Sequence, residues 1–188
     1  MVRWAPDACG RLQHAALTLY GERGFESTTV AEIAEYAGLT KRTFFRYFAD
    51  KREVLFWGAQ ALQELFVTAV AEAPESATPL DAVTAALDAA AAMFEERREF
   101  AAQRQQIINA NPELLERERS KLASLAAAVA DALRHRGVAE PAATLAADAG
   151  VTVFRVAFEV WLEPGNKRSL QQVIHQLLDE LKTVTGGS

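Results

Sequence analysis

The sequence predicts an all-α protein on three observations. Alanine-rich runs carry few Gly and few Pro, a composition that favours helix over strand. Apolar residues recur at three- and four-residue spacing through most of the chain, and hydroxyl, Asp or Asn residues mark repeated helix starts with glycines as stops. About nine helices are expected. They form a small N-terminal domain, residues 1–52, joined to a C-terminal helical bundle, residues 53–188, and half of the 188 residues are apolar, enough for a sizeable core.

The elements follow in order. Asp7 to Arg23 places Leu12, Ala15, Ala16, Leu19 and Tyr20 on one helical face and closes at Gly24. Next, Thr29 and Glu32 form a capping box, Val30, Ile33, Ala34 and Ala37 make the apolar stripe, and Gly38 supplies a left-handed stop. Thr40 caps a third helix. There Phe44 and Phe48, four apart, face inward, which turns Arg42, Thr43 and Arg46 outward with Phe45 and Tyr47 on the flanks. Two short helices joined at a glycine, the second showing a basic, hydroxylated and aromatic face about two turns long, fit the width of a DNA major groove.

Asp50 and Glu53 read as another capping box, opening a helix that runs unbroken to about Ala73 with Val54, Leu55, Leu62, Leu65 and Phe66 inside and Trp57 beside them. Pro74 to Pro79 is a turn-rich break, and Thr78, Pro79 and Asp81 start the next helix, through Phe94. The charged run Glu95 to Glu99 reads as a solvated corner without chemistry. A short helix from Phe100 to Ile108 follows; Asn111 and Pro112 then open a long one that Gly137 stops, with Leu115, Leu122, Leu125, Val129 and Leu133 on one face and Glu113 to Arg117 as a surface pair.

The last two helices bear on assembly. A helix runs from Pro141 to Glu163, with only Thr152, Arg155 and Glu159 polar between Val151 and Leu162, and after Pro164 and Gly165 the final helix carries a wide stripe. A chain of this size is expected to struggle to cover both, so a two-fold dimer is predicted, its interface a four-helix bundle using Val151, Phe154, Phe158, Trp161, Leu170, Val173, Ile174, Leu177 and Leu181.

The stretches TTVAEIAEYAG, TKRTFFRYF and ADK, within Arg11 to Leu55, resemble the helix-turn-helix of the tetracycline-repressor (TetR) family of transcriptional regulators. The resemblance implies an N-terminal three-helix DNA-binding domain, a C-terminal ligand-sensing and dimerisation domain, and a cytoplasmic bacterial regulator, by default a repressor. It implies that Thr29 and Lys51 grip phosphates, and that Lys41, Arg42 and Thr43, presented after Thr40, reach base edges. Arg46 and Tyr47 are placed to reach bases or backbone. Where the family commonly has tyrosine this chain has Phe45, which leaves an apolar contact to a thymine methyl. Arg3 or Arg11 is a candidate for one further phosphate contact.

Charge is partitioned to match. Residues 1–52 hold 8 Lys+Arg and 6 Asp+Glu, whereas residues 53–188 hold 12 and 19, so an overall charge of -5 conceals a basic foot at Lys41, Arg42, Arg46, Lys51 and Arg52. In the second domain, the resemblance implies a small-molecule inducer site. Trp57, Phe66, Met93, Phe94, Phe100, Ile107, Phe154 and Phe158 are candidates for its wall and Gln103 and Arg104 for polar anchors, with Asn109 beside them. The ligand is expected to be mostly apolar, an acyl or aromatic compound.

Other classes are disfavoured. His14, His135 and His175 lie on separate helices, Cys9 is the only cysteine, and no metal-ligand spacing or Gly-rich phosphate loop occurs, so neither catalysis, a metal nor a cofactor is expected. No apolar run approaches about 18 residues, so no membrane span is expected. A helical protein-interaction module without ligand response is the main alternative, an enzyme using the bundle cavity a distant one. The expected mechanism has an inducer resetting the 50–73 helix as a lever, which changes the spacing of two feet one duplex turn apart on a palindromic operator.

Overall fold

The computed structural model describes residues 8–186. Arg3 and Asp7 lie outside the described residues. Ten α-helices and one 3-10 turn are present among the described residues: α1 Ala8–Arg23, α2 Val30–Tyr36, α3 Lys41–Tyr47, α4 Glu53–Phe56, α5 Ala59–Glu72, α6 Pro79–Phe94, the turn Glu95–Arg97, α7 Arg98–Asn109, α8 Pro112–His135, α9 Ala142–Leu162 and α10 Leu170–Thr185. The described residues divide into two compact units, the first up to Ala59 plus Ala102–Glu118, the second Gln60–Ala101 plus the residues from Arg119 onward.

Local signals account for most boundaries. Thr29 with Glu32, Thr78 with Asp81, and Ser169 with Gln172 form reciprocal capping boxes at the starts of α2, α6 and α10. Gly38 at φ +64° turns the chain out of α2, a conformation in which any other residue is strained.

The α1–α4 region and residues 107–115 close one core. Leu12, Ala16, Ile33, Phe44, Phe48, Leu55, Ile108 and Leu114 are buried together there. This differs from a boundary at Arg52. Val54, Leu55 and Phe56 are core residues of the first unit, and so is part of α7–α8, because their apolar faces have their cover in that cluster.

The unbroken helix expected from Asp50 to Ala73 is two helices. The chain turns at Trp57 and Gly58 between α4 and α5, and glycine is a weak helix former. The Asp50 capping box is half formed: Asp50 Oδ1 accepts from the Arg52 and Glu53 amides at 2.8 and 3.1 Å, while the Glu53 carboxylate is taken by Arg117. By length and composition alone Glu53–Glu72 is apolar enough to cross a membrane, with a mean hydropathy of 1.4, although Gln and Glu interrupt its apolar run. It carries Gln60, Gln63 and Glu64, and Phe66 and Val70 are buried in the second unit.

The second unit packs α6 against α9 and α10. The α6 contact face is Ala82, Val83, Ala86, Leu87, Ala90 and Ala91, all buried. Small side chains let helices approach closely, and this answers the covering problem posed by α9 and α10. Val151, Phe154, Trp161, Leu170, Val173 and Ile174, expected at a dimer interface, are buried within one chain. Phe158, Leu177 and Leu181 are half-buried. The outward positions are Leu145, 65% exposed, with Thr152 and half-buried Val156 on α9, and Val184, 83% exposed, on α10.

Arginines close helix ends that the sequence left open. The last carbonyls of a helix lack intrahelical partners, and Arg136 donates to the carbonyls of Ala71, Ala73 and Pro74 at 3.2, 2.6 and 2.6 Å after α5. Arg98, read as part of a solvated run, donates to the carbonyls of Trp161 and Glu163 at 2.9 and 3.3 Å where α9 ends.

Candidate nucleic-acid interface

The two-helix element begins with the α2 cap. Ile33 and Ala34 are buried against α1, and Arg11 donates to the Ala37 carbonyl at the end of α2. Arg11, expected as a phosphate contact, thus serves as a helix-end cap inside the unit. Across the turn, Thr40 accepts from the Thr43 amide at 3.1 Å and starts α3. Phe44 and Phe48 are buried with their ring centres 5.3 Å apart. Burying two such rings stabilises the seat of α3 by about 1.5–3 kcal/mol each, and this anchorage leaves the opposite face free.

On that face Lys41, Arg42 and Arg46 are exposed, and Phe45 is 56% exposed. Among the described residues, Lys41 and Arg42 have no hydrogen-bond or ion-pair partner. Arg46 is held differently. It donates to the Tyr47 hydroxyl at 3.0 Å with its guanidinium carbon 4.9 Å from that ring centre, which orders both side chains and leaves the phenolic proton available. Thr43, expected outward, is half-buried and shares a hydrogen bond of 3.0 Å with the Thr40 hydroxyl. Tyr36, 54% exposed at the end of α2, is an aromatic that the sequence reading passed over. Its position off the Val30, Ile33, Ala34 and Ala37 stripe was the available signal.

Two expected phosphate ligands are otherwise engaged. Thr29 gives its amide and hydroxyl to Glu32 Oε2, each at 2.8 Å, so a carboxylate already occupies the N-terminus of α2. Those bonds to Thr29, the backbone one foremost, hold the Glu32 carboxyl below its ordinary pKa, with Arg23 assisting. Lys51 donates to the carbonyls of Phe25, Glu26 and Thr28 at 2.8, 3.2 and 3.1 Å, which uses its three protons, and its ammonium lies 4.4 Å from the Phe25 ring centre. Its own carbonyl accepts from Tyr20 at 2.6 Å. Burial, with the charge of Asp50, pushes the Tyr20 phenol above its ordinary pKa, so it stays a donor.

Lys51 is therefore a clamp on the α1–α2 loop. Lys51→Met is expected to lower unfolding free energy by about 2 kcal/mol, since carbonyls bonded to a charged donor lose more than neutral pairs do. Urea unfolding checks this; an unchanged midpoint with uniformly weaker DNA binding would restore the phosphate role.

The residues expected around a ligand are distributed over both units. In the first, Trp57, 49% exposed, packs its ring 5.3 Å from that of Phe48. Gln103 donates to the Leu17 carbonyl at 3.1 Å, Arg104 to that of Leu55 at 2.6 Å, and Ile107 is buried. A groove of about 380 Å³ lies in this unit between Tyr20–Ser27 and Gln103–Asn111, taking in Gln103 and Ile107. In the second, Phe66, Phe94, Phe154 and Phe158 pack on one another at ring separations of 5.1 to 6.2 Å, Trp161 joins them, Met93 is half-buried and Phe100 is exposed. These rings meet each other directly. Among the described residues no cluster of His, Cys, Asp and Glu is placed to hold a metal.

Residues 12–56 match the model of the tetR family of bacterial regulatory proteins, and residues 77–186 match the MftR C-terminal domain. The HTH-type transcriptional regulator TcmR of Streptomyces glaucescens is 40% identical over 79 residues, 42% of this chain, and the match spans 35% of that regulator's length. Among solved structures, the chain is similar to Thermus thermophilus FadR, a TetR-family repressor in complex with lauroyl-CoA, with TM-score 0.56 and 24% identity over 92% of each chain. It is also similar to SmeT, the repressor of the Stenotrophomonas maltophilia efflux pump SmeDEF, with TM-score 0.62 and 17% identity over 94% of this chain and 89% of that one. At these identities the two structural likenesses speak to fold.

Proposed function

The chain belongs to the TetR family of DNA-binding transcriptional regulators, and from that premise we propose that it is a repressor that binds a palindromic operator as a homodimer and is released by a small, mostly apolar ligand. The observation that carries the reading is the free cationic edge of α3, Lys41 and Arg42, seated on buried Phe44 and Phe48. Arginine reads guanine bidentately and lysine suits guanine or phosphate. Phe45 offers its ring to a thymine methyl, and Arg46 with Tyr47 takes phosphate or sugar. Thr29 and Lys51 support the element from within.

Contact with DNA falls to residues 1–52, sensing and assembly to 53–188, of which 53–59 and 102–118 pack into the first unit. Dimerisation uses the outward sides of α9 and α10, with Leu145, Val156 and Val184 in place of the buried stripe. The ligand, an acyl or aromatic compound, takes up the contacts that Phe94, Phe154 and Phe158 make with one another. Lauroyl-CoA, held by T. thermophilus FadR, is the first probe.

Binding of a labelled duplex selected by the protein, followed over a salt series, tests the DNA half. Each neutralised phosphate contributes a slope of about −0.9 in log K against log salt, so a dimer making several contacts gives a slope on the order of −5. A slope near zero contradicts the reading. For the ligand half, lauroyl-CoA is expected to raise the unfolding temperature and release the duplex; a stabilised protein that keeps its DNA rejects ligand release.

A further inference from the structure

Residues 52–56, which follow the recognition helix, are gripped by charges from α7 and α8 within the first unit. Arg104 Nε donates to the Leu55 carbonyl at 2.6 Å and its Nη1 to Glu118 at 2.9 Å; Gln105 holds the second oxygen of Glu118 at 2.9 Å. Arg117 Nε donates to Glu53 at 2.6 Å, with a second bond from its Nη2. Arg52 bridges Asp50, at 2.8 Å, and Glu113. Buried Phe56 meets both clasping arginines, its ring centre 5.3 Å from the Arg104 guanidinium carbon and 6.0 Å from that of Arg117.

Sequence spacing pointed to a Glu113–Arg117 surface pair, and both partners are instead turned toward 52–53. The Arg104–Glu118 side chains are 21% and 17% exposed and those of Arg117–Glu53 37% and 24%. Partly buried pairs hold geometry more firmly than solvated ones, because a lost partner leaves a charge poorly hydrated. What they hold is connected to the DNA face. Val54, Leu55 and Phe56 share a core with Phe44 and Phe48 of the recognition element, and Trp57 stacks edge-on against Phe48 at 5.3 Å.

We propose that Arg104 and Arg117, with Glu118 and Glu53, are positioning residues for operator recognition: they clasp α4 and thereby fix the setting of α3 without touching DNA. The proposal rests on the DNA-binding reading above. It deepens that reading by locating control of α3 in the 102–118 segment, since α4 is too short and too interrupted at Trp57–Gly58 to act as a rigid lever alone.

The test uses the full chain and the duplex that the wild type enriches from a random library. Glu53→Arg, Arg117→Glu and the double exchange are compared with Arg104→Gln, well below each variant's unfolding midpoint, over a salt series. Apparent affinity scales with the fraction of molecules in the competent setting, so if each single change leaves about a tenth competent, affinity falls about tenfold. The salt slope is expected to stay at the wild-type value, because no phosphate contact is lost, and the exchanged pair is expected to regain most of the affinity. Glu53→Gln, the same shape without charge, reports in the same direction if a reversal fails to fold.

Affinity within twofold of wild type in Arg104→Gln and Glu53→Gln, with only the unfolding midpoint lowered, overturns the proposal, as does a shallower salt slope in the arginine variants, which would make them phosphate contacts. Should the wild type itself enrich no sequence, the DNA-binding reading fails and this role with it.

Discussion

Arg42→Ala is expected to flatten base preference at one position in each half-site while leaving the protein as stable as before. Arg42 is exposed in the first turn of α3, where the Thr40 cap fixes the helix start, and among the described residues it makes no hydrogen bond or ion pair. A bidentate arginine contact to a base is worth about 1–3 kcal/mol of discrimination, and in the proposed homodimer the loss recurs on the second half-site. The check is a comparison of duplexes enriched by the variant and by the wild type. An unchanged profile with uniformly weaker binding would make Arg42 a phosphate ligand. Lys51→Met marks the opposite case, in which stability changes through the α1–α2 loop.

Gly150→Ala is expected to destabilise the chain by about 2 kcal/mol. A Cβ built on Gly150 in α9 falls 2.1 Å from Val83 Cγ1 of α6, far inside van der Waals contact. Ala in place of Gly in a helix normally gains about 1 kcal/mol. Overpacking costs about 1–3 kcal/mol, and more where backbones must part; here Val83 is fully buried, so the packing effect outweighs propensity. Urea unfolding reads the sign directly. A stabilised Gly150→Ala protein would mean that α6 and α9 do not approach as closely as described.

Features encoded by neighbours in sequence were legible. The capping box at Thr29, the helix start at Thr78 to Asp81, the turn at Gly38 and the buried pair Phe44 and Phe48 each depend on residues close in sequence. Long side chains were not legible, because they choose partners that lie far away in sequence. Arg11, Lys51, Arg98 and Arg136 look like solvated or DNA-facing cations and instead satisfy carbonyls at helix ends and in a loop. Glu113 and Arg117 stand four apart on α8, yet each finds a better partner beside α4.

The burial of α9 and α10 shows the same limit at the level of helices. Periodicity revealed how much apolar surface needed cover, and small residues on α6 fit close packing; neither revealed that α6 is the helix that covers α9 and α10 within one chain. The helix starts and the buried face of the two-helix element were legible because they depend on residues close in sequence. The mutual packing of the aromatic cluster was not, since Phe94, Phe154 and Phe158 carry the same pattern whether they line a cavity or fill it.

The most direct test of a paired, sequence-reading DNA interface is selection of duplexes from a random library by the purified full chain at moderate salt, with the mass of the resulting complex determined on the winning sequence. The expected winner is an inverted repeat whose half-site centres lie about one duplex turn apart, bound by an even number of chains. Enrichment of no sequence, or a single chain on a single half-site, would contradict it.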